Sequence, residues 1–337
     1  MNRTPVVTCR LAVVALALCV LLSTFLPAAT TFAADAPRIA YLVSDLRIPF
    51  WRIMGDGIRA RADELDYVVD LYSAENDARQ ELQNAVAALR TGVSGLILSP
   101  TNSSAAVTVL ALAEQAGVPV VIADIGAEKG RYISYIESDN EEGARALGSV
   151  LVRTLKAHGW HAGGVGIISI PQSRENGRAR TRGFMAALKG SGFHAAGIRQ
   201  QVDFSYQETY DFSRALIAEH EDMRAIWLQG SDRYRAALDA IRDAGREGEI
   251  LLICFDAEPE FIDMIRDGRL VGAGMQQPRL MGVKAVEALA AHLNGESVPP
   301  RQRLPVLAVS ADNLDILLPL IRKNVLGLDA TDDTASR

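Results

Sequence analysis

The sequence predicts an α/β chain, doubly wound and organised in two lobes. Three observations predict it. Short apolar runs rich in Val and Ile alternate with amphipathic stretches from Arg38 to Leu326. The runs are continuously apolar, the pattern of parallel strands covered by helices on both faces. About three hundred residues follow the N-terminal leader, more than one hydrophobic core usually organises.

Strand-like runs fall at 38–44, 67–73, 95–99, 118–124, 132–138, 164–170, 197–202, 225–230, 250–256, 270–277 and 305–309, and helix-like stretches fill most gaps. The stretch at 50–65 puts Phe50, Ile53, Met54, Gly57, Ile58 and Leu65 on one side at helical spacing. The rhythm breaks where the runs at 118–124 and 132–138 follow each other without a helix between them. Ser138-Asp139-Asn140-Glu141-Glu142 then gives a helix start with a capping Ser or Asp and an acid behind it. The first crossing between lobes belongs there. The acidic, small-residue tail at 327–337 is expected to be disordered.

The leader sets the compartment. Arg3 and Arg10 precede the apolar stretch Leu11–Leu26, and Thr31-Phe32-Ala33 offers a small-x-small cleavage site, so residues 1–33 read as a signal peptide. An uncleaved anchor is the alternative. A lipid anchor at Cys19 is opposed by the bulky Leu18 before it. Removing Arg3 and Arg10 from 35 basic residues leaves 33 against 41 acidic ones, a net charge of −8. That argues against a nucleic-acid surface and disfavours membrane-surface binding, since both need clustered Lys and Arg. With Cys9 and Cys19 in the leader, Cys254 is the remaining thiol and reads as a buried strand residue.

In open parallel sheets ligands collect beyond the carboxyl ends of the strands, where loops and helix N-termini converge. The residues to read are therefore Phe50 and Trp51; Asp124; Arg178, Arg180 and Arg182; Phe204 and Tyr206; Gln229, Ser231 and Asp232; Asp256; and Gln276 and Gln277. Flat apolar faces beside carboxylates, a guanidinium and amides suit a sugar, whose C–H faces stack while its hydroxyls are fixed by bidentate groups. For each residue a plainer role competes: Phe50 as a staple of its helix, Asp124 and Asp256 as caps, the arginines as a solvated face.

The order and spacing of Pro49-Phe50-Trp51, Ser138-Asp139-Asn140, Arg180-Thr181-Arg182-Gly183-Phe184, Cys254-Phe255-Asp256, Gln276-Gln277-Pro278 and Ser310-Ala311-Asp312-Asn313 resemble the ribose-binding group of type I periplasmic sugar-binding proteins. The resemblance runs from Arg38 to about Leu314. It implies two similar lobes joined by three crossings, one of residues 37–138 and 277–306 and the other of 139–276 and 307–326. It also implies that Phe50, Trp51 and Phe204 stack on the ligand ring, and that Asp124, Arg180, Asp256 and Gln276 bond its hydroxyls, with Ser231 and Asp232 as further contacts. The function implied is capture of a sugar or sugar-like molecule in the periplasm for an ABC permease; the alternative is presentation of the closed form to a membrane sensor kinase or chemoreceptor. Three positions depart from the family's ribose site. Ile48 stands for Asn, Ile125 stands for Arg, and Gly230-Ser231-Asp232 replaces Asn-Asp. A buried hydroxyl left without its partner costs about 1–3 kcal/mol, so ribose in that pose is disfavoured and a less hydroxylated or otherwise altered molecule fits better.

Enzymatic readings find no assembled nucleophile, base or phosphate loop. His158 and His161 lack Cys or acidic partners for a metal, and Gly163-Gly164-Val165-Gly166 precedes its strand where a dinucleotide loop would follow it. A sugar-responsive repressor would carry a helix-turn-helix where the leader stands. The expectation is a monomer without cofactor or metal, not inserted in the membrane once the leader is removed.

Overall fold

The computed structural model describes residues 36–328. The signal peptide expected at 1–33, its cleavage near Ala34 and residues 329–337 of the expected tail lie outside them. Gly327 and Leu328, the first tail residues, still follow the fold, with the Leu328 N–H donating to the Arg322 carbonyl at 2.8 Å.

The first stretch of chain alternates β1 (Arg38–Val43), α1 (Pro49–Glu64), β2 (Val68–Ser73), α2 (Ala78–Arg90), β3 (Gly95–Ser99), α3 (Ala105–Gln115), β4 (Val120–Ala123) and β5 (Ser134–Ser138). The second runs through α4 (Asn140–Ala157), β6 (Gly163–Ser169), α5 (Glu175–Leu188), β7 (Phe193–Gln200), α6 (Tyr206–Glu219), β8 (Met223–Leu228), α7 (Tyr234–Asp243), β9 (Leu251–Phe255), α8 (Phe261–Arg266) and β10 (Gly272–Met275). The chain closes with α9 (Pro278–Leu293), β11 (Arg301–Leu304), β12 (Leu307–Ser310), α10 (Leu314–Leu320) and a π-helical turn, Ile321–Val325. Among the described residues no helix is long and apolar enough to cross a membrane.

These strands form two six-stranded sheets, ordered β11-β5-β4-β3-β1-β2 and β12-β10-β9-β8-β6-β7. The first five strands of each lobe have the same order, with the switch point between the first and third. Alternate residues of each strand feed opposite cores, which is why the runs are apolar throughout. Ile39, Tyr41, Ile97 and Val121 pack with Trp51, Met54 and Ile58 of α1 and with Met281 and Leu289 of α9. Ala40, Leu42, Leu96 and Ile122 pack with α2 and α3 on the other face. In the second sheet Val165, Ile167, Trp227 and Phe255 meet α4 and α5, while Ile226, Leu252 and Cys254 meet α6, α7 and α8.

The chain crosses between sheets after β5, after β10 and between β11 and β12. Each fifth strand feeds a helix that packs in the other lobe: α4 lies on α5, and α9 lies on α1. Both pairs approach backbone to backbone. A Cβ on Gly183 would overlap the Glu141 carbonyl, and one on Gly57 or Gly282 would overlap the Arg279 or Met54 carbonyl.

The sheets are parallel as expected except at one edge strand. β12 is antiparallel to β10, pairing Gly272 with Ser310 and Met275 with Leu307. Only Pro305 and Val306 separate β11 from β12, so the chain enters the second sheet from the hinge side and must run away from it, while β10 runs towards it. β11 itself was not expected: its RQRL sequence lies half exposed at the edge beside β5.

Replacing Gly183 by Ala should destabilise the protein by about 1–3 kcal/mol, because α4 and α5 must separate to admit the methyl group. Urea denaturation would register this as a lower midpoint at unchanged slope; an unchanged midpoint would contradict the close approach.

Candidate ligand-binding site

The carboxyl ends of both sheets face one cleft. Its walls include Ile48, Phe50, Trp51 and Asp124 from the first lobe and Arg174, Asn176, Arg180, Phe204, Gly230, Ser231, Asp232, Asp256 and Glu258 from the second, with Gln276 and Pro278 at the second crossing. The cavity is ≈ 70 Å³ measured to the centres of water-sized molecules. At about 10–15 Å³ per water on that measure, it is on the scale of one small ring.

Local sequence chemistry places each side chain. Pro49 opens α1, and Ile48 caps it by backbone alone, so Phe50 and Trp51 sit on the first turn. Their rings meet edge to face at 6.0 Å. Asp124 and Asp256 terminate the fourth strand of their respective sheets and occupy equivalent positions. Both are left-handed, with φ of 69° and 66°. Their N–H groups donate to the neighbouring fifth strand, to Ile136 at 3.0 Å and Gly274 at 2.9 Å. Asp tolerates this conformation better than most residues, and the turn aims the carboxylate into the cleft. Phe204 is also left-handed, at φ 55°. The start of α6 holds it there: Ser205 Oγ accepts from the Glu208 N–H, and the Glu208 carboxylate accepts from the N–H groups of Val202 and Phe204.

Helical geometry separates the three arginines of α5. Arg178 turns back to Glu175 and the Gln172 carbonyl, and Arg182 pairs with Glu141 on the surface. Arg180 points inward. Its Nε donates to Asn140 Oδ1 at 2.8 Å, and Nη1 donates to the Gln229 carbonyl at 2.6 Å and to Asp256 Oδ2 at 3.5 Å. The guanidinium lies 3.9 Å from the Phe255 ring centroid. Gln276 Nε2 donates to the other oxygen of Asp256. Ser231 Oγ donates to Glu258 Oε1 at 2.8 Å, and Asp232 pairs with Arg233 at 3.0 Å.

Thus Phe50, Trp51, Asp124, Arg180, Phe204, Ser231, Asp232, Asp256 and Gln276 all line the same cleft. Tyr206 does not; its hydroxyl bonds Asp239 on the outer surface. Gln229 is buried behind Arg180, and Gln277 joins the Pro305 carbonyl and Asn324 in the hinge. Ile125 is fully buried in the first-lobe core, whereas Ile48 lies in the cleft wall.

Sequence reading missed Arg174, Asn176 and Glu258. Glu258 follows Asp256 by two residues, so the rule that found one would have found the other. Arg174 caps α5 and reaches across the cleft. Its Nε donates to the Thr101 carbonyl at 3.1 Å and its Nη2 to Asn76 Oδ1 at 2.8 Å, both in the first lobe. It lies 5.7 Å from the Trp51 centroid and 5.6 Å from that of Phe204. Burial pulls its pKa down to about 10 against the raising effect of Asp124.

Among the described residues several acceptors in or beside the cleft lack a hydrogen bond of good geometry, including Asp124 Oδ1, Gln276 Oε1 and Gln229 Oε1, as does the donor Trp51 Nε1, which lies near enough to Asp124 to lower its pKa. Burial pushes the Asp124 pKa from 3.8 up to about 6, with the Arg180 charge pulling it down and Asp256 pushing it up. Burial likewise raises Asp256, against Arg180 and Gln276. The arrangement suits binding and orientation: polar groups with free capacity stand between aromatic faces.

Comparison with known proteins agrees with this geometry. Residues 39–297 match the model of the periplasmic binding protein domain, and the chain belongs to that family. It is 30% identical over 279 residues to the ribose import binding protein RbsB of Haemophilus influenzae, covering 83% of this chain and 92% of that protein. It is 27% identical over 299 residues to the D-ribose/D-allose-binding protein of Pseudomonas aeruginosa, covering 85% and 91%. The fold matches a carbohydrate transporter solute binding protein from Agrobacterium radiobacter, in complex with D-arabinose, with a TM-score of 0.79 at 21% identity, covering 87% of this chain and 100% of that one. The protein is a binding protein and not an enzyme.

Two outcomes follow. Arg174→Ala removes both cross-cleft bonds, so the unliganded protein should open, read as a larger radius of gyration in solution scattering; an unchanged radius would show that Arg174 holds nothing. Asp124→Asn removes a carboxylate whose folded pKa lies above its unfolded one. Ionising Asp124 therefore costs stability as pH rises from 3.8 through about 6, on the order of 2–3 kcal/mol when complete. The variant should melt higher than wild type above pH 6 and show no gain below pH 4.

Proposed function

We propose that the chain is the ligand-capturing component of an ABC importer, binding a single-ring sugar or sugar-like molecule between two lobes that close upon it. The observation that carries this reading is the convergence on one small cleft of aromatic faces, carboxylates, a guanidinium and an amide from both lobes, with acceptors unpartnered. The named sugar ligands of its relatives point the same way. The leader at 1–33 supports a periplasmic location after cleavage.

In this reading the lobes are residues 37–138 with 277–306 and 139–276 with 307–326, hinged at the three crossings. Phe50, Trp51 and Phe204 stack on the ring, and Asp124, Arg180, Asp256 and Gln276 bond its polar groups, with Ser231 and Asp232 beside them. Contacts from both lobes exist together only when the cleft is closed, so ligand shifts the population towards closure. Ile48 and Ile125 withhold two of the family's polar anchors, which disfavours ribose in the ribose-site pose.

The test is a thermal-shift screen of protein unfolded and refolded to strip any ligand, against pentoses, hexoses, deoxy sugars, amino sugars, polyols and sugar acids. A native-state binder raises the melting temperature with concentration; no response to any compound would overturn the sugar reading. For a ligand so found, Asp256→Ala should weaken binding about tenfold or more, since a hydrogen bond to a charged group contributes about 1.5–3 kcal/mol.

A further inference from the structure

The charge of the cleft narrows the ligand class, on the premise that the sugar reading holds. Four carboxylates line it: Asp124, Asp232, Asp256 and Glu258. Asp256 has Arg180, and Asp232 has Arg233. Among the described residues, no cation stands within ion-pairing distance of Asp124 or Glu258. Among the described residues the side chain bonded to Glu258 is that of Ser231, and the charged groups that act on it most, Asp232, Glu260 and Asp256, are acidic. Asp124 reaches in from the first lobe and Glu258 from the second.

The arginines of the cleft direct their hydrogen bonds elsewhere, although the charges of both act on Asp124. Arg180 donates to Asn140, Gln229 and Asp256, and Arg174 donates to Thr101 and Asn76. The free capacity left in the walls is mostly of acceptor type. Asp124 and Gln276, each 2% exposed, hold unpartnered oxygens, Oδ1 and Oε1. Burial pushes Glu258 up to about 7, with its acidic neighbours adding to the rise, and Asp124 up to about 6 although Arg180 and Arg174 pull it down. A hydroxyl supplies one donor and no charge. An ammonium supplies three donors and the missing charge, and aromatic faces such as those of Phe50 and Trp51 favour a cation.

We propose that the ligand carries a protonated amine that meets the carboxylates of Asp124 and Glu258, so that an amino sugar binds more tightly than the neutral sugar of the same ring. Isothermal titration of the refolded, stripped protein at neutral pH would compare D-glucose with D-glucosamine, D-galactose with D-galactosamine and D-mannose with D-mannosamine, with the N-acetylated forms and neutral pentoses alongside. At least one hexosamine should bind about tenfold or more tighter than its parent and its acetamide, as a charge-assisted bond exceeds a neutral one. Glu258→Gln should bring that ratio close to one. A neutral parent binding as tightly as its amine would overturn the inference while the sugar reading stands. An amine preference retained in both Glu258→Gln and Asp124→Asn would overturn the assignment to these carboxylates. No binding by any sugar, neutral or amino, would overturn both readings.

Discussion

The buried guanidinium of Arg180 is the interaction on which the cleft depends. A cation removed from water must keep its acceptors, because burial without them costs several kcal/mol. Arg180 takes them from three places: Asn140 just beyond the first crossing, the carbonyl of Gln229 after β8, and Asp256 after β9. Its flat face rests on Phe255, the last residue of β9. One side chain therefore fixes the wall of the second lobe to the segment about which that lobe would turn. The position of Asp256 follows from it, and through Asp256 that of Gln276.

Asp256 has a counterpart without such a partner. Asp124 occupies the same place in the first sheet, in the same left-handed turn with the same bond to the fifth strand, yet among the described residues no arginine lies within ion-pairing distance of it, and Arg180 and Arg174 act on it only from further away. The two halves share a backbone plan and differ in charge. The second-lobe carboxylate is fastened to the protein, and the first-lobe carboxylate is left with a free oxygen. Symmetry of fold with asymmetry of satisfaction gives the cleft one wall that is fixed and one that keeps free hydrogen-bonding capacity.

Much of this was legible in the sequence, for identifiable reasons. Strands covered on both faces need apolar residues at every position, so β1, β3, β4 and β9 stood out as unbroken runs. The edge strand β11 did not, because Arg301, Gln302 and Arg303 lie at the border and are recruited by pairing with β5 rather than by burial. Asp124, Asp256 and Gln276 could be found because strand ends can be counted. Arg178, Arg180 and Arg182 look alike in sequence, and the turn of α5 together with Asn140 decides which enters the cleft. Arg174 was invisible because its partners, Asn76 and Thr101, lie about a hundred and about seventy residues earlier in the chain.

The exchange of helices between lobes has a consequence for how the chain is made. The first sheet lacks its edge, and α1 lacks the helix it packs upon, until residues 278–304 exist. The second lobe likewise takes its last strand from Leu307–Ser310. Neither lobe corresponds to a continuous stretch that could finish folding as it leaves the ribosome. Nearly the whole chain must be synthesised before either sheet is complete. Such a polypeptide stays open for most of its synthesis, the condition in which a thread can be passed through a narrow membrane channel and left to assemble on the far side.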